Sequence, residues 1–474
     1  MATVKMNSPS QEKQVETARD QHLLSERAAC NSVHRDIWGP REKSMGNPWS
    51  PTNPTGTVNL RLAENSLMHE EIGQFIKNEI NVLPLQHLTY STGPRGSLRL
   101  RRAASTFLAR EFHPRHSITA DDIFVTPGLA SAIDAVAWSI CNDGDGILVP
   151  QPFYNGFQFD LLNRSNTRVV PVSYTGVEGY SGLDDLFDPD VNRMALDRAL
   201  YKAREDGIRI RAVLVSNPHN PLGRCYPPAT MREFAKFCGL NKLHLISDEI
   251  YAKSVFVNPT IPTATPFSSI LALDTTDLID PTLVHVLYGA SKDFCANGLR
   301  LGFVYTQNKG IIGAMSSISM FSWSPHLLQD VWAGMLENAE WMDDFMQRKN
   351  EPVLENYNIT SSFLRDCGIK YYEMNAGLFF WIDLRHILKP GYAGDGSLSV
   401  ASSDSSKYKE REARVVEICM KHGVLIAPGH VYVPEEFGWF RITFTVGKEA
   451  LREGLQRVKE SLAEIETELS WTTE

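Results

Sequence analysis

From about residue 120 the chain alternates short, near-continuous apolar runs with stretches of helical periodicity. The runs are Ile123-Phe124-Val125-Thr126, Gly146-Ile147-Leu148-Val149, Arg168-Val169-Val170-Pro171-Val172, Ala212-Val213-Leu214-Val215, Leu243-His244-Leu245-Ile246, Val284 to Tyr288 and Gly302-Phe303-Val304-Tyr305. A strand that is apolar at every position is buried on both faces, so the pattern predicts an α/β domain: seven mostly parallel strands covered by helices on both sides. In open sheets of this kind ligands sit beyond the carboxyl ends of the strands. Gly128, Asn220, Asp248 and Lys292 all fall at such ends. From about 310 the pattern changes to amphipathic helices, Ile311 to Glu340 and Trp341 to Cys367, which read as a connector leaving the sheet. A smaller α+β portion follows: a strand at Ala376–Asp383, a helix at Lys407–His422, strands at Val424–Ile426 and Phe440–Phe444, and a closing helix from about 447.

The expected division is an N-terminal arm over 1–55, irregular and partly disordered, and an N-terminal part of the small domain over 56–80. The large domain then covers 81–320, and the connector helix and C-terminal small domain 321–474. Residues 391–406, rich in Gly and Ser, read as a flexible insertion.

Composition narrows the function classes. At 474 residues, 43% hydrophobic and with a net charge of −9, the chain has the make-up of a globular protein without a nucleic-acid surface. Arg99, Arg101 and Arg102 form the nearest thing to a basic cluster, and they read as one helix face. Seven cysteines lie scattered without C-x-x-C spacing, which predicts reduced thiols, no metal site and a cytoplasmic location. The first residues lack an apolar leader core, and no apolar stretch is long enough to span a bilayer, so no membrane association is expected.

The densest candidate chemistry is Ser291-Lys292-Asp293-Phe294-Cys295-Ala296-Asn297-Gly298-Leu299-Arg300. A lysine just past a buried strand, backed by Gly289, Ala290 and Ser291, suits a Schiff-base nucleophile, because desolvation favours the neutral amine. An arginine eight positions on suits a phosphate. A surface Lys and Arg flanking a loop is the competing reading for that pattern alone. Two further segments keep it company. Asn217-Pro218-His219-Asn220-Pro221-Leu222-Gly223 is a turn-rich stretch after a strand, and Asp248-Glu249-Ile250-Tyr251 puts a carboxylate and a phenol at the next strand end.

Together these segments resemble the fold type I pyridoxal 5'-phosphate (PLP) enzymes, the class I/II aminotransferases, and within them the 1-aminocyclopropane-1-carboxylate (ACC) synthase-like branch. Leu62-Ala63-Glu64-Asn65, Pro152-Phe153-Tyr154-Asn155-Gly156-Phe157, Gly377 to Arg385 and Gly438-Trp439-Phe440-Arg441 match that branch too, and the resemblance spans roughly 55–465. It implies the PLP-dependent transferase fold and the following roles. Lys292 forms the internal aldimine and then acts as base at Cα. Asp248 faces the pyridine nitrogen, and Asn220 and Tyr251 donate to the ring oxygen. Tyr154 stacks on the ring. Arg300, Ser291 and the Gly128-Leu129-Ala130 turn hold the phosphate. Arg441 clamps the substrate carboxylate, with Glu64 as a further substrate contact or else a helix-capping carboxylate. Tyr90 reaches the phosphate of a partner subunit, which implies a homodimer with shared sites.

The match departs from the family at Gly289 and Ala130, where many relatives carry serine and threonine, leaving Ser131 or Ser291 as substitute donors. The segment Tyr90-Ser91-Thr92-Gly93-Pro94-Arg95-Gly96 is also longer than in ACC synthases. Amine transfer from an α-amino acid is therefore the first functional expectation. A lyase expelling a β- or γ-leaving group is the alternative. A PLP-binding protein that has lost catalysis is a third reading, opposed by the presence of Lys292, Asp248 and Arg441.

Overall fold

The computed structural model describes residues 9–34, 46–80, 85–389, 392, 394 and 398–470. Strands are numbered in chain order. β1 is Val58–Asn59, β2 Ile123–Thr126, β3 Gly146–Pro150, β4 Arg168–Val172, β5 Ile210–Ser216, β6 His244–Asp248, β7 Val284–Gly289 and β8 Gly302–Thr306. The smaller set is β9 Lys370–Tyr372, β10 Phe379–Asp383, β11 Val424–Leu425, β12 Ala427–Pro428 and β13 Trp439–Thr443.

All seven apolar runs become strands of one seven-stranded sheet, in the order β2-β8-β7-β6-β5-β3-β4. Strands β3 to β7 pair in parallel, and β8 runs antiparallel to both β7 and β2. Alternate residues of one strand feed different cores. Val213 and Val215 join one buried cluster and Ala212 and Leu214 the cluster on the opposite face, as a doubly covered sheet requires.

The smaller sheet has the order β12-β13-β10-β9, with antiparallel pairing throughout. The closing helix Lys448–Ser470 buries Leu451, Leu455, Val458, Leu462 and Ile465, a stripe at helical spacing, in this domain's own core. Residues 58–59 also join it, since β1 pairs in parallel with β11. The helix His69–Glu79 behaves differently: it packs Ile72 into the core of the large sheet, although 56–80 was expected to belong to the small domain.

Three further segments depart from the sequence expectation. Within the arm, Pro9–His22 and Glu26–His34 are helical, in keeping with their many Glu, Gln, Lys, Arg and Ala residues. Asn31 Nδ2 donates to Asn163 O (3.1 Å), docking the arm on the large domain. The connector is broken into Lys309–Ser319, His326–Glu337 and Ala339–Asp366, with Pro325 at the first break. Of the insertion expected at 391–406, residues 391, 393 and 395–397 lie outside the described residues. Within it Leu398 is fully buried and its carbonyl accepts Phe437 N–H at 2.9 Å, while Ala401, Ser403, Asp404 and Ser406 are exposed.

Candidate active site

The central parallel strands bring their carboxyl ends into register, pairing Ser216 with Asp248 and Asp248 with Leu287. The loops that leave these ends carry Asn220 and Lys292, and the strand-end turn before β8 carries Arg300. With the Leu62–Glu64 segment and β13 they enclose a cavity of about 590 Å³. Of the residues given a role from sequence, Glu64, Leu129, Ala130, Tyr154, Asn220, Asp248, Tyr251, Ser291, Lys292, Arg300 and Arg441 line it, and Tyr90, Gly128 and Ser131 do not.

One end of the cavity is built for an anion. The helix Leu129–Ile140 begins at Gly128 with no side-chain cap, so its first-turn N–H groups are directed at the cavity wall. Gly128 has φ +83°, and a Cβ there would stand 2.4 Å from Arg300 Nη2. Only glycine therefore permits the guanidinium to approach the helix start. Arg300 donates to Asn297 O (2.8 Å) and Pro127 O (3.2 Å) and pairs with no carboxylate among the described residues. A guanidinium and a helix N-terminus converging without a counter-charge fit a phosphate.

The two departures at the expected phosphate site acquire a physical account. A Cβ on Gly289 would meet Leu129 Cδ1 at 2.7 Å and Leu301 O at 2.8 Å, so the leucine occupies the space a serine would need. Ala130 lines the cavity without a hydroxyl. Of the substitute donors, Ser131 turns its hydroxyl back to Pro127 O (3.3 Å) and does not line the cavity. Ser291 does line it.

Behind the cavity floor, Asp248 is buried, and among the described residues its carboxylate accepts one hydrogen bond, from Ile250 N–H at 3.2 Å. Burial pushes its carboxyl up to about 7, against the opposing pull of that bond and of Lys292. A buried carboxylate with so little support is suited to a cationic or N–H-bearing partner from the cavity, such as a protonated ring nitrogen. Tyr154 stands on the wall, and a Cβ on Gly156 would lie 2.3 Å from its ring, so that glycine sets the ring's place. Tyr251 is buried edge-on to Phe379 (5.5 Å between centroids), and burial holds its phenol well above the ordinary range.

Lys292 Nζ donates to Ala63 O at 2.5 Å. Burial, and next the Arg441 charge, lower its pKa to about 8, so about a tenth of it is neutral at pH 7, far more than for an ordinary lysine. Arg441, on β13, is buried between the rings of Phe379 (4.8 Å) and Tyr432 (4.9 Å). Its Nη1 donates to Asn220 Oδ1 (3.1 Å) and Nη2 to Arg61 O (2.8 Å), while the buried Nε has no partner among the described residues. No carboxylate of the described residues neutralises it. A buried cation of this kind calls for an anionic ligand. Glu64 also faces the cavity, with Oε1 accepting from Asn297 Nδ2 at 2.5 Å.

Tyr90 stands apart. It is 83% exposed, lies outside the cavity and touches Trp323 edge-on at 6.2 Å. Conversely, Asn297, Asp160, Phe379 and Tyr432 were not singled out from sequence. Asp160 lines the cavity, and burial, then Asp248, raise its carboxyl to about 7. It sits on the short helix Phe157–Leu162, and no sequence motif singled it out.

Residues 50–458 match the family described as aminotransferase class I and II. The chain is 28% identical over 464 residues to 1-aminocyclopropane-1-carboxylate synthase 1 of Oryza sativa subsp. indica, covering 94% of this chain and 90% of that protein. It is 30% identical over 410 residues to the probable aminotransferase sirI of Leptosphaeria maculans, covering 86% and 92% respectively. Among solved structures, the aspartate aminotransferase of Thermus thermophilus with maleate superposes with a TM-score of 0.69 at 22% identity, over 92% of this chain and 99% of that one. The match over most of its length, and a fold of the same kind, show that this chain belongs to the class I and II aminotransferase family.

Proposed function

We propose that the protein is a PLP-dependent enzyme that binds an α-amino acid through Arg441 and removes its Cα proton with Lys292. The carrying observation is that Lys292, Asp248 and the uncompensated Arg441 share one cavity with an anion cradle at its far end. Pyridoxal phosphate bound there supplies a conjugated ring that takes up the electron pair left at Cα. Arg300, Ser291 and the N–H groups at Leu129 and Ala130 hold the phosphate. Asp248 faces the ring nitrogen, Asn220 and Tyr251 the ring hydroxyl, and Tyr154 the ring face. Arg441 presents parallel donors to the α-carboxylate and so orients the Cα–H bond towards Lys292 Nζ, which takes the proton as a neutral amine. Tyr90, exposed on this chain, serves the phosphate site of a second copy, making the active unit a homodimer.

Amine transfer was the first expectation from sequence. The likeness to an ACC synthase over nine-tenths of both chains reverses the order and favours an ACC synthase-like lyase, in which a β- or γ-leaving group departs from the substrate. Transamination is the second reading, supported by the likeness to the probable aminotransferase. Incubation with S-adenosylmethionine, cysteine conjugates and ordinary amino acids, followed by absorbance and mass spectrometry, separates them. Loss of thiol or thioether with the cofactor spectrum unchanged supports the lyase; accumulation of the cofactor's amine form with a keto acid supports transfer. Lys292→Ala should abolish the near-visible band, and a wild-type protein that never shows this band refutes the cofactor assignment.

A further inference from the structure

Val433 is held in a conformation that its own sequence opposes. It has φ +54° and ψ +57°, and it is the only β-branched residue with a positive φ among the described residues. Branching at Cβ disfavours that region, and the following Pro434 pushes residue 433 towards extended backbone. The surroundings must therefore hold it there. Two links do so, one on each side, and both cross to the unit built on the large sheet. On one side the Tyr432 carbonyl accepts Phe153 N–H at 2.8 Å. On the other, the half-buried Glu435 carboxylate accepts four donors from the turn after β4: Ser173 Oγ (3.0 Å), Tyr174 N–H (2.5 Å), Thr175 N–H (3.3 Å) and Thr175 Oγ1 (2.7 Å). That turn is itself fixed, because Arg198 donates to the Ser173 and Thr175 carbonyls. The ends of the 430–438 segment are pinned on the small-sheet side by one buried carboxylate. Glu412 accepts His430 N–H (2.9 Å), His430 Nδ1 (2.6 Å) and Gly438 N–H (2.7 Å).

We infer that Glu435 is a positioning residue for the carboxylate clamp: it holds Val433 left-handed and thereby keeps the Tyr432 ring against Arg441. The ring lies 4.9 Å from the guanidinium carbon and stands edge-on to Trp381 at 5.4 Å. Tyr432 directly precedes Val433, so relaxation of residue 433 turns the chain on which the ring is mounted. Arg441 then loses one of the two aromatic faces between which it lies, and it must be ordered afresh when a carboxylate binds. Glu435 does not line the cavity, so its influence runs through the backbone. This inference rests on the reading of Arg441 as the site of the substrate carboxylate. It adds the residue that pre-organises that site without touching what binds there.

The test uses two probes that carry the same aminooxy nucleophile: aminooxyacetate, which has a carboxylate, and O-methylhydroxylamine, which has none. On the cofactor-loaded enzyme, the rate at which each displaces Lys292 from the cofactor is read from loss of the near-visible band. Wild type should react faster with aminooxyacetate. Glu435→Ala should slow that reaction by about 5- to 30-fold, the factor that left-handed strain at one residue represents, and leave O-methylhydroxylamine unchanged. Val433→Gly in the Glu435→Ala background should recover about 3-fold or more, since glycine removes the Cβ penalty while Pro434 remains. In the cofactor-free protein, hydrogen exchange of the peptide holding the Phe153 amide should quicken in Glu435→Ala and slow again in the double variant. Equal slowing of both probes, no recovery with glycine, or unchanged exchange at Phe153 each overturn the inference. A wild type without the band overturns the cofactor reading and this inference together, and a wild type indifferent to the probe's carboxylate overturns the reading of Arg441 with it. A normal band and a carboxylate preference that survives Glu435→Ala overturn this inference alone.

Discussion

Leu129 Cδ1 lies 2.7 Å from the point where a side chain on Gly289 would begin, and 2.8 Å from the same point on Gly302. The first turn of the helix Leu129–Ile140 thus rests on two neighbouring strands that have no side chain at the contact. The missing serine and the leucine are two halves of one packing solution. Gly289→Ser should cost about 1–3 kcal/mol by overpacking. Combined with Leu129→Ala it should cost measurably less than the sum of the two single changes, by about 0.5 kcal/mol or more. Urea unfolding of the four proteins measures this, and strict additivity would refute the shared space. Leu301 O, 2.8 Å from the same point, keeps the rescue incomplete.

Asp248 ties function to a stability cost. Its folded pKa of about 7 lies above the ordinary 3.8, so the folded protein holds this proton more tightly than the unfolded chain does. The contribution to stability is therefore full below about pH 4, is lost as pH rises towards 7, and stays lost above it. Asp248→Asn should raise the melting temperature of cofactor-free protein at pH 8 more than at pH 4, while abolishing activity. Equal shifts at both pH values would show that the buried charge is not the cause.

How much of this was legible beforehand follows from the kind of signal each residue leaves. Strands buried on both faces are mostly apolar, so six of the seven runs of the large sheet could be read directly, and β4, half exposed at the sheet edge, could be read from its β-branched residues. Lys292, Asp248, Asn220 and Arg300 sit at strand ends in patterned segments and were equally readable. Asn297 and Asp160 carry no local signature: their chemistry arises because Glu64 and Asp248 arrive from elsewhere in the chain. Gly289 was visible as an oddity, but its cause is a tertiary contact with Leu129, 160 positions away, which no local pattern contains. The helices of the arm were missed because a polar helix shows little apolar periodicity.

Arg441 should not tolerate lysine. Its two terminal nitrogens are already steered by Asn220 and Arg61, and its planar face fits between Phe379 and Tyr432. An ammonium cannot present parallel donors or stack in this way. Arg441→Lys should lower kcat/KM for any α-amino acid by about 10- to 100-fold, the worth of one hydrogen bond to a charged group. It should leave the spectrum of the cofactor-loaded enzyme in place. A matching loss of cofactor would assign Arg441 to the cofactor instead of the substrate.

The sheet also carries a buried imidazole pair remote from the cavity. His244 Nδ1 and His285 Nε2 are 2.9 Å apart, and His285 Nδ1 lies 2.9 Å from Thr306 Oγ1. Burial lowers His244 to about 4 and His285 to about 3, with Arg211 adding to the effect on His244 and His244 to that on His285. Both lie below the 6.5 of an unfolded histidine, so the unfolded chain takes up protons first as pH falls. Stability should then decline from about pH 6.5 down to about pH 4, each imidazole contributing up to about 1.4 kcal/mol per pH unit in that window. His285→Asn removes one of the two titrating groups, and the slope of unfolding free energy against pH between 4.5 and 6 should fall by about that amount. Denaturant titrations at several pH values measure the slope, and an unchanged slope in the variant would place the acid sensitivity elsewhere. A lower absolute stability of His285→Asn at neutral pH does not bear on the point, because the slope reports proton uptake on unfolding and is blind to a pH-independent change in packing.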